Sequence, residues 1–202
     1  LHPPLVELWR GIPCRAFFIA SACCYTPPRH LPRAGPMLKF FVLFIAIQLA
    51  LFAAELTPPV QEHFVIPFTE GIAKVSVNLV TLFDDRVVAA GKVIRSLDNG
   101  FAVSIEAGCN GVEAMIVLAA AIFAFPAPWK RKLAGFVIGT VAIQALNIVR
   151  IISLFYIGQW NMQVFEWAHL YIWQALIMLD VLIVFLLWLR MLPERQTTTA
   201  DA

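Results

Sequence analysis

Charged residues are scarce in this chain of 202 residues. They make up only 14% of it, whereas hydrophobic residues make up 60%. A soluble domain needs more charge than this to cover its surface, so the composition predicts an integral membrane protein. The net charge of +2 is small, and the lysines and arginines fall in short loops rather than in one stripe. This pattern excludes a nucleic-acid partner.

Cysteine is also rare, with four in the chain, and three of them (Cys14, Cys23 and Cys24) precede the long apolar runs. Only Cys109 lies within the apolar region. A lone thiol there argues against a thiol oxidase, which needs paired cysteines for disulfide exchange. Cys109 and His169 lack the ligand spacing that is typical of zinc sites, which argues against a metal-binding site. We therefore expect neither a metal nor a cofactor.

The first 36 residues are rich in proline, show no sustained helical pattern and do not begin with methionine. We expect residues 1–36 to be a non-native or disordered extension upstream of a true start at Met37. A native cytoplasmic tail and a poor signal peptide are the alternatives. Residues 37–193 are then a single transmembrane domain, and residues 194–202 are a disordered cytoplasmic tail.

Four apolar runs predict the fold class, an all-α membrane protein built as a four-helix transmembrane bundle. About 20 apolar residues span a bilayer, and the predicted spans are about 38–56, 111–125, 133–157 and 167–189. The Lys130-Arg131-Lys132 loop between the second and third spans is the strongest basic signal, which predicts a cytoplasmic location for this loop. Both termini are then cytoplasmic, and the segment from Glu55 to Gly108 is external.

This external segment carries two further signals. Apolar residues recur at helical spacing between Phe64 and Phe83, which predicts an interfacial helix. Its predicted apolar stripe consists of Phe68, Ile72, Val75, Leu79 and Phe83. After it, the turn signal Asp98-Asn99-Gly100 and the alternating residues that follow predict a small β-hairpin that caps the membrane site.

Three residues that are rare in lipid lie on three different apolar segments, at the same predicted membrane face. Cys109 precedes the second span, Arg150 lies about 10 Å below the external end of the third, and His169 begins the fourth. Each alone has a bland interpretation: a small buried hydrophobe, a structurally paired cation and an interfacial side chain. Together, a thiol, a fixed cation and an imidazole are the parts of a nucleophilic acyl-transfer site.

Polar neighbours of these three residues are candidate supporting groups. Glu113 is the nearest obvious carboxylate to Cys109, and it is either catalytic or a counter-ion for Arg150. Asn147 lies three residues before Arg150 and is predicted to orient it. Similar depths predict two interhelical hydrogen bonds: Asn147 with Gln174, and Gln144 with Asp180.

Three motifs carry a resemblance to a known family. The segment Glu106-Ala107-Gly108-Cys109-Asn110-Gly111, the run Asn147-Ile148-Val149-Arg150, and His169 in Phe165-Glu166-Trp167-Ala168-His169 resemble the exosortase and archaeosortase family, most closely its short exosortase H branch. The resemblance covers Met37 to about Pro193. The family's Cys, Arg and His fall on Cys109, Arg150 and His169. The residue after the cysteine is often serine in the family, and here it is Asn110.

The resemblance implies a membrane cysteine protease or transpeptidase at the external face of a bacterial inner membrane. Its partners would be the lipid bilayer and exported proteins whose C-terminal sorting signal is a motif, a spanning helix and a basic tail. Cys109 would form an acyl-enzyme, His169 would transfer protons, and Arg150 would stabilise the oxyanion and lower the thiol pKa.

Four residues are candidates for supporting these three: Glu106, Asn110, Glu113 and Asn147. A non-enzymatic scaffold, or a small transporter with a polar path along Arg150 and Asp180, is the alternative function.

Overall fold

The structure, a computed structural model, describes residues 35–192. Its helices are α1 (Pro36–Glu55), α2 (Pro58–Val60), α3 (Ile66–Val80), α4 (Val112–Ala124), α5 (Trp129–Trp160), α6 (Met162–Trp167) and α7 (Trp173–Arg190). Two π-helical turns, Gln61–Val65 and Ala168–Ile172, join α2 to α3 and α6 to α7. The predicted N-terminal extension, up to residue 34, and the predicted C-terminal tail lie outside the described residues.

Three helical stretches are long and apolar enough to cross a membrane: Met37–Glu55, Trp129–Trp160 and Met162–Arg190. The predicted all-α membrane fold is therefore confirmed. The predicted second span also forms a helix, but α4 has only 13 residues. At 1.5 Å per residue it is about 20 Å long, shorter than the roughly 30 Å of a bilayer core. Helix α4 is therefore shorter than the predicted span 111–125, and its crossing of the membrane stays a prediction.

Two features limit the length of α4. Gly111 at its N-terminus has a φ of +77°, which lies outside helical geometry. At its other end, Phe125 has a ψ of 137° because it precedes Pro126, and a residue before proline is disfavoured in the helical region. The helix is nevertheless well enclosed, since Leu118 and Ile122 are fully buried against residues of α5 and α7.

The predicted hairpin is part of a three-stranded antiparallel sheet. Its strands β1 (Val87–Ala90), β2 (Val93–Ser96) and β3 (Ala102–Ser104) lie in the order β1-β2-β3. The turn between β2 and β3 contains Asp98-Asn99-Gly100, as predicted, with Gly100 at a φ of +71°. The strand that was missed, β1, joins β2 through Gly91, whose φ is +59°. Residues 87–94 form one apolar run in which a single glycine marks the tight turn. The boundary between β1 and β2 is therefore difficult to predict from the sequence.

Helix α3 lies where a helix was predicted, but its buried face is different. Val75, Leu79 and Phe83 of the predicted stripe are exposed. The buried residues of α3 are Thr69, Ile72, Ala73, Ser76, Val77 and Val80. The apolar members of this face, Ile72, Ala73, Val77 and Val80, form one core cluster with the sheet and α5. Small side chains on this face allow α3 to pack closely against the sheet and α5. Hydrophobicity alone does not predict which face of α3 is buried.

Helix α5 and the helical stretch Met162–Arg190 extend beyond the predicted third and fourth spans. Asn161 separates α5 from α6 in an extended conformation, with a φ of −156°. Its side chain then caps α6 by accepting hydrogen bonds from the backbone N–H groups of Gln163 at 2.9 Å and Val164 at 3.2 Å. The chain thus reverses within one residue, and the start of the last helical stretch lies beside the end of α5.

Candidate active site

Cys109 lies in the loop from Gly108 to Gly111, between the sheet and α4. Two glycines give this loop its shape, because Gly108 and Gly111 have φ values of +83° and +77°. Only glycine adopts such values readily. At Gly111 a Cβ atom would also lie 2.7 Å from Nε2 of Gln144. The turn can therefore approach α5 only with glycine at this position.

Main-chain hydrogen bonds fix the position of Cys109 itself. Its N–H donates to the carbonyl of Glu106 at 2.9 Å, which closes a turn after β3. The N–H of Gly108 donates to the carboxylate of Glu113, in the first turn of α4. Glu113 makes no ion pair with Arg150 within residues 35–192, since the salt bridges there are Arg86 with Asp98 and Lys92 with Glu106. The contact of Glu113 is therefore that of a loop anchor rather than a counter-ion.

Asn110 anchors the other side of the same loop. Its Nδ2 donates to Oγ1 of Thr69 on α3 at 3.1 Å, and its Oδ1 accepts from the N–H of Val112 at 3.0 Å. Its carbonyl accepts from Nε2 of Gln144 at 3.3 Å. Asn110 is only 1% exposed. A serine at this position, as is common in the family it resembles, is too short to make both side-chain contacts.

The three rare residues meet around the Cys109 sulfur. Nε2 of His169 lies 3.8 Å from Sγ, and Nη2 of Arg150 also lies 3.8 Å from Sγ. Nη1 of Arg150 donates to the carbonyl of Gly108 at 3.3 Å. The structure therefore brings together the side chains that the sequence singles out, with the thiol between an imidazole and a guanidinium.

Arg150 is almost completely buried, with only 2% of its surface exposed. Its Nε has no hydrogen-bond partner in the described part of the chain, and no carboxylate there forms an ion pair with it. A buried cation without a counter-ion is unfavourable. The site therefore favours a negative charge beside Arg150, either a thiolate or an oxyanion.

His169 lies in the π-helical turn Ala168–Ile172. Such turns are frequent at functional sites, because the extra residue changes the direction of a side chain. The ring of Phe165 stacks on His169 at 5.7 Å with an interplanar angle of 4°. Nδ1 of His169 is buried and has no partner among residues 35–192. Stacking, rather than a carboxylate, orients this imidazole.

A small cavity of about 140 Å³ opens in front of the sulfur. Its lining consists of Val103, Ser104, Ile105, Glu106, Cys109, Arg150, Ile151, Leu154, Phe165 and His169. The sheet, the cysteine loop, α5, α6 and the π-helical turn all contribute. The reacting groups therefore share one space that is open to a substrate.

Burial raises the pKa of the Cys109 thiol above its ordinary value. The charge of Arg150 opposes this, whereas Glu113 and Glu106 raise the pKa further. Arg150 thus acts in the predicted direction, but desolvation is the larger effect. The resting thiol is therefore protonated at neutral pH, and Nε2 of His169 is the imidazole nitrogen next to it.

Glu106 lines the cavity but is already engaged. Its carboxylate accepts hydrogen bonds from Nζ of Lys92 and, at 2.7 Å, from Oγ of Ser104. These bonds hold the pKa of Glu106 below its ordinary value. Glu106 therefore remains an ionised carboxylate at neutral pH and is unsuited to donate a proton.

The two predicted interhelical hydrogen bonds are wrong. Asn147 donates to Oε1 of Gln144 at 3.4 Å rather than bonding Gln174, and Gln144 bonds Asn110 and Met115 rather than Asp180. Oδ2 of Asp180 is buried without a partner in the described region. Equal depth in the bundle does not fix the rotation of each helix about its axis. Asn147 positions Gln144 and so the loop, with no hydrogen bond to Arg150.

Three contributors were missed by sequence reasoning: Thr69, Ser104 and Phe165. Thr69 is 41 residues before Asn110 in sequence, and only the packing of α3 brings it to the site. Ser104 is two residues before Glu106, but its side-chain contact with Glu106 was not predicted. Phe165 lies four residues before His169, so helical spacing was a signal for their contact.

Comparison with known families decides the relationship. The model of the transmembrane exosortase family (Exosortase_EpsH) matches residues 34–191, which is more than half of the chain. The chain belongs to the exosortase family. No curated protein and no solved structure shows a significant match. Exosortase membership indicates a membrane protein of sorting-signal processing, and the resemblance to the exosortase H branch stays a prediction.

The opposing effects on the Cys109 thiol predict the pH dependence of its alkylation. Only the thiolate reacts with iodoacetamide, so the rate rises with pH through the thiol pKa. In a protein whose Cys14, Cys23 and Cys24 are replaced by serine, Arg150→Ala should move this rise to higher pH. Arg150→Lys, which keeps the charge, should move it less. An unchanged profile in Arg150→Ala would show that the guanidinium does not act on the sulfur.

Proposed function

We propose that this exosortase is a membrane cysteine protease or transpeptidase that cleaves the C-terminal sorting signals of exported proteins. The observation that supports this best is the position of Sγ of Cys109. It lies 3.8 Å from Nε2 of His169 on one side and 3.8 Å from Nη2 of Arg150 on the other. A nucleophile, a base and a fixed cation in this arrangement suit acyl transfer.

In the first step, Nε2 of His169 accepts the thiol proton while Sγ attacks the scissile carbonyl carbon. A C–S bond forms, and the carbonyl oxygen becomes an oxyanion. The C–N bond then breaks, and the departing amine takes the proton from His169. The N-terminal part of the substrate remains on Cys109 as a thioester.

Arg150 faces the position where charge develops. Its guanidinium provides five N–H donors, of which only those on Nη1 and Nη2 have contacts in the described structure. A preorganised donor in a buried site stabilises an oxyanion strongly, since no solvent has to reorganise. Arg150 is therefore the proposed oxyanion stabiliser.

Water, an amine or a hydroxyl then attacks the thioester. His169 accepts the proton of the attacking group, the C–S bond breaks, and the thiol is restored. Water gives a protease, whereas an amine or hydroxyl gives a transpeptidase or a related transferase. Both outcomes use the same acyl-enzyme.

The proposed location is a bacterial inner membrane with both termini in the cytoplasm. Lys130, Arg131 and Lys132, predicted as a loop, form the first turn of α5, just after the C-terminal end of α4, and the loop with Cys109 lies at the opposite end of α4. By the positive-inside rule, Cys109 then faces the external side. An exported substrate held by its own spanning helix would present its motif at that face.

The scaffold or transporter alternative has less support. It requires a polar path along Arg150 and Asp180, yet no ion pair joins these residues in the described structure. Oδ2 of Asp180 has no partner among residues 35–192. Dispensability of Cys109 would favour this alternative.

Processing of a tagged substrate tests the proposed enzyme. A suitable substrate is an exported protein of the same genome that ends in a short motif, an apolar helix and a basic cluster. Cys109→Ala should abolish processing, and His169→Ala should slow it about 10²–10⁴-fold, as expected for loss of a general base. Arg150→Ala should slow it about 10²–10³-fold, as for loss of an oxyanion donor. Immunoblots of precursor and product over time measure each rate.

Matched controls for these variants are His63→Ala and Arg190→Ala. His63 contacts the carbonyl of Pro59 on an exposed helix turn, and Arg190 is in the last turn of α7, away from the loop with Cys109. Both should process the substrate at the wild-type rate. Normal processing by Cys109→Ala would overturn the proposed function.

Cysteine labelling in intact cells tests the proposed orientation. Asn99→Cys in the sheet turn should react with a membrane-impermeant maleimide after the outer membrane is permeabilised, because this turn is expected to be external. Lys130→Cys should react only after the cells are broken. The background is the protein with Cys14, Cys23 and Cys24 replaced by serine and Cys109 replaced by alanine, so that only the introduced cysteine can react. The reverse pattern would place Cys109 on the cytoplasmic side.

A further inference from the structure

Strand β3 is an edge strand that leads into the candidate active site. The sheet order leaves β2 as its one neighbouring strand within the described residues. Ala102 and Ser104 of this strand are exposed. Val103 and Ser104 line the cavity in front of Cys109. An edge strand presents main-chain donors and acceptors that can pair with another chain.

The register shows which groups point outward. The N–H of Ser96 donates to the carbonyl of Phe101, and the N–H of Ile105 donates to the carbonyl of Lys92. Hydrogen-bonded pairs alternate with non-bonded pairs along an antiparallel ladder. Between these two bonds, Val103 and Ile94 therefore form the hydrogen-bonded pair. The pairs of Ala102 with Arg95 and Ser104 with Val93 therefore direct their main-chain groups away from β2. These two residues thus provide two outward N–H and two outward C=O groups.

The cavity is too small to bind a whole sorting motif. Its volume of about 140 Å³ is below the roughly 300 Å³ at which small-molecule pockets begin. It can accept one side chain and the scissile group, so the remaining motif residues need another surface. The outward groups of β3 are the hydrogen-bonding surface continuous with this cavity, and they complement an extended peptide.

We propose that the edge of β3 binds the sorting motif as an added parallel strand. This rests on the proposed function. β3 runs toward the loop with Cys109 and then into α4, that is, into the bundle. A substrate whose motif precedes its spanning helix runs in the same direction. Pairing with Ala102 and Ser104 positions the residues before the scissile bond and places its carbonyl at Sγ of Cys109.

Proline substitutions test this pairing, because proline lacks the N–H and is tolerated at a sheet edge. Ala102→Pro and Ser104→Pro each remove an outward N–H and leave the bonds to β2 intact. Ser104→Pro also removes the hydrogen bond from Oγ of Ser104 to Glu106, so its rate is compared with that of Ser104→Ala. Each should slow processing of the tagged substrate about 3- to 10-fold, the effect of one lost hydrogen bond. The double variant should be slower than either. Ala102→Val keeps the N–H, so it should process the substrate at least threefold faster than Ala102→Pro.

Ala89→Pro is the matched control at the opposite edge. Ala89 pairs with Ile94, and its N–H also points away from β2, on the far side of β1. This variant should process the substrate at the wild-type rate. The rate of Cys109 alkylation by iodoacetamide reports whether each proline variant keeps an intact site. For Ala102→Pro and Ala89→Pro it should equal that of the wild type, and for Ser104→Pro it should equal that of Ser104→Ala.

Disulfide trapping gives an independent readout. It uses a protein in which Cys14, Cys23 and Cys24 are replaced by serine and Cys109 is replaced by alanine. Ala102→Cys should cross-link to cysteines placed at alternate positions in the substrate motif. Wild-type processing by both proline variants, or cross-linking without alternation, would overturn the proposed pairing. If Cys109→Ala at the same time accumulates precursor, the proposed function still stands. Normal processing by Cys109→Ala instead overturns the function itself.

Discussion

A buried guanidinium with no carboxylate partner among residues 35–192 is the constraint on which the site depends. Arg150, on α5, holds the Gly108 carbonyl with Nη1 and faces the Cys109 sulfur with Nη2. Since desolvation of an unpaired cation is unfavourable, a negative charge that forms beside Arg150 is stabilised. In the proposed reaction, attack by the thiol creates that charge. The same residue therefore links the position of the loop to its reactivity.

The surrounding structure serves to hold the cysteine loop against this cation. Gln144 and Asn147 contact one another on α5, and Gln144 bonds the carbonyl of Asn110. Thr69 holds the Asn110 side chain from α3, and Glu113 holds the Gly108 N–H from α4. Helix α4 begins directly after the loop, at Val112, so its first turn can hold the loop through Glu113. Three helices and a sheet thus converge on four residues of chain.

The sequence predicts the parts of this site better than their contacts. Apolar runs predict the helices, and the rarity of Cys109, Arg150 and His169 in such runs identifies them. The rotation of each helix is not encoded in local pattern, so the partners assigned to Asn147 and Gln144 were wrong. The face that α3 buries against the protein differs from most of its apolar stripe, because small residues such as Ala73 and Ser76 pack closely there. Strand β1 was missed because its turn to β2 is short, and the contact of Ser104 with Glu106 was missed although the two residues are close in sequence.

Detection of a substrate fragment on Cys109 tests the central claim most directly. The tagged substrate is mixed with the purified exosortase, quenched in acid, and the chain is measured by intact-mass spectrometry and peptide mapping. The account predicts an adduct of the N-terminal substrate fragment on Cys109 that hydroxylamine removes and that Cys109→Ala lacks. Processing at the wild-type rate by Cys109→Ala, with no adduct on any cysteine, would contradict it.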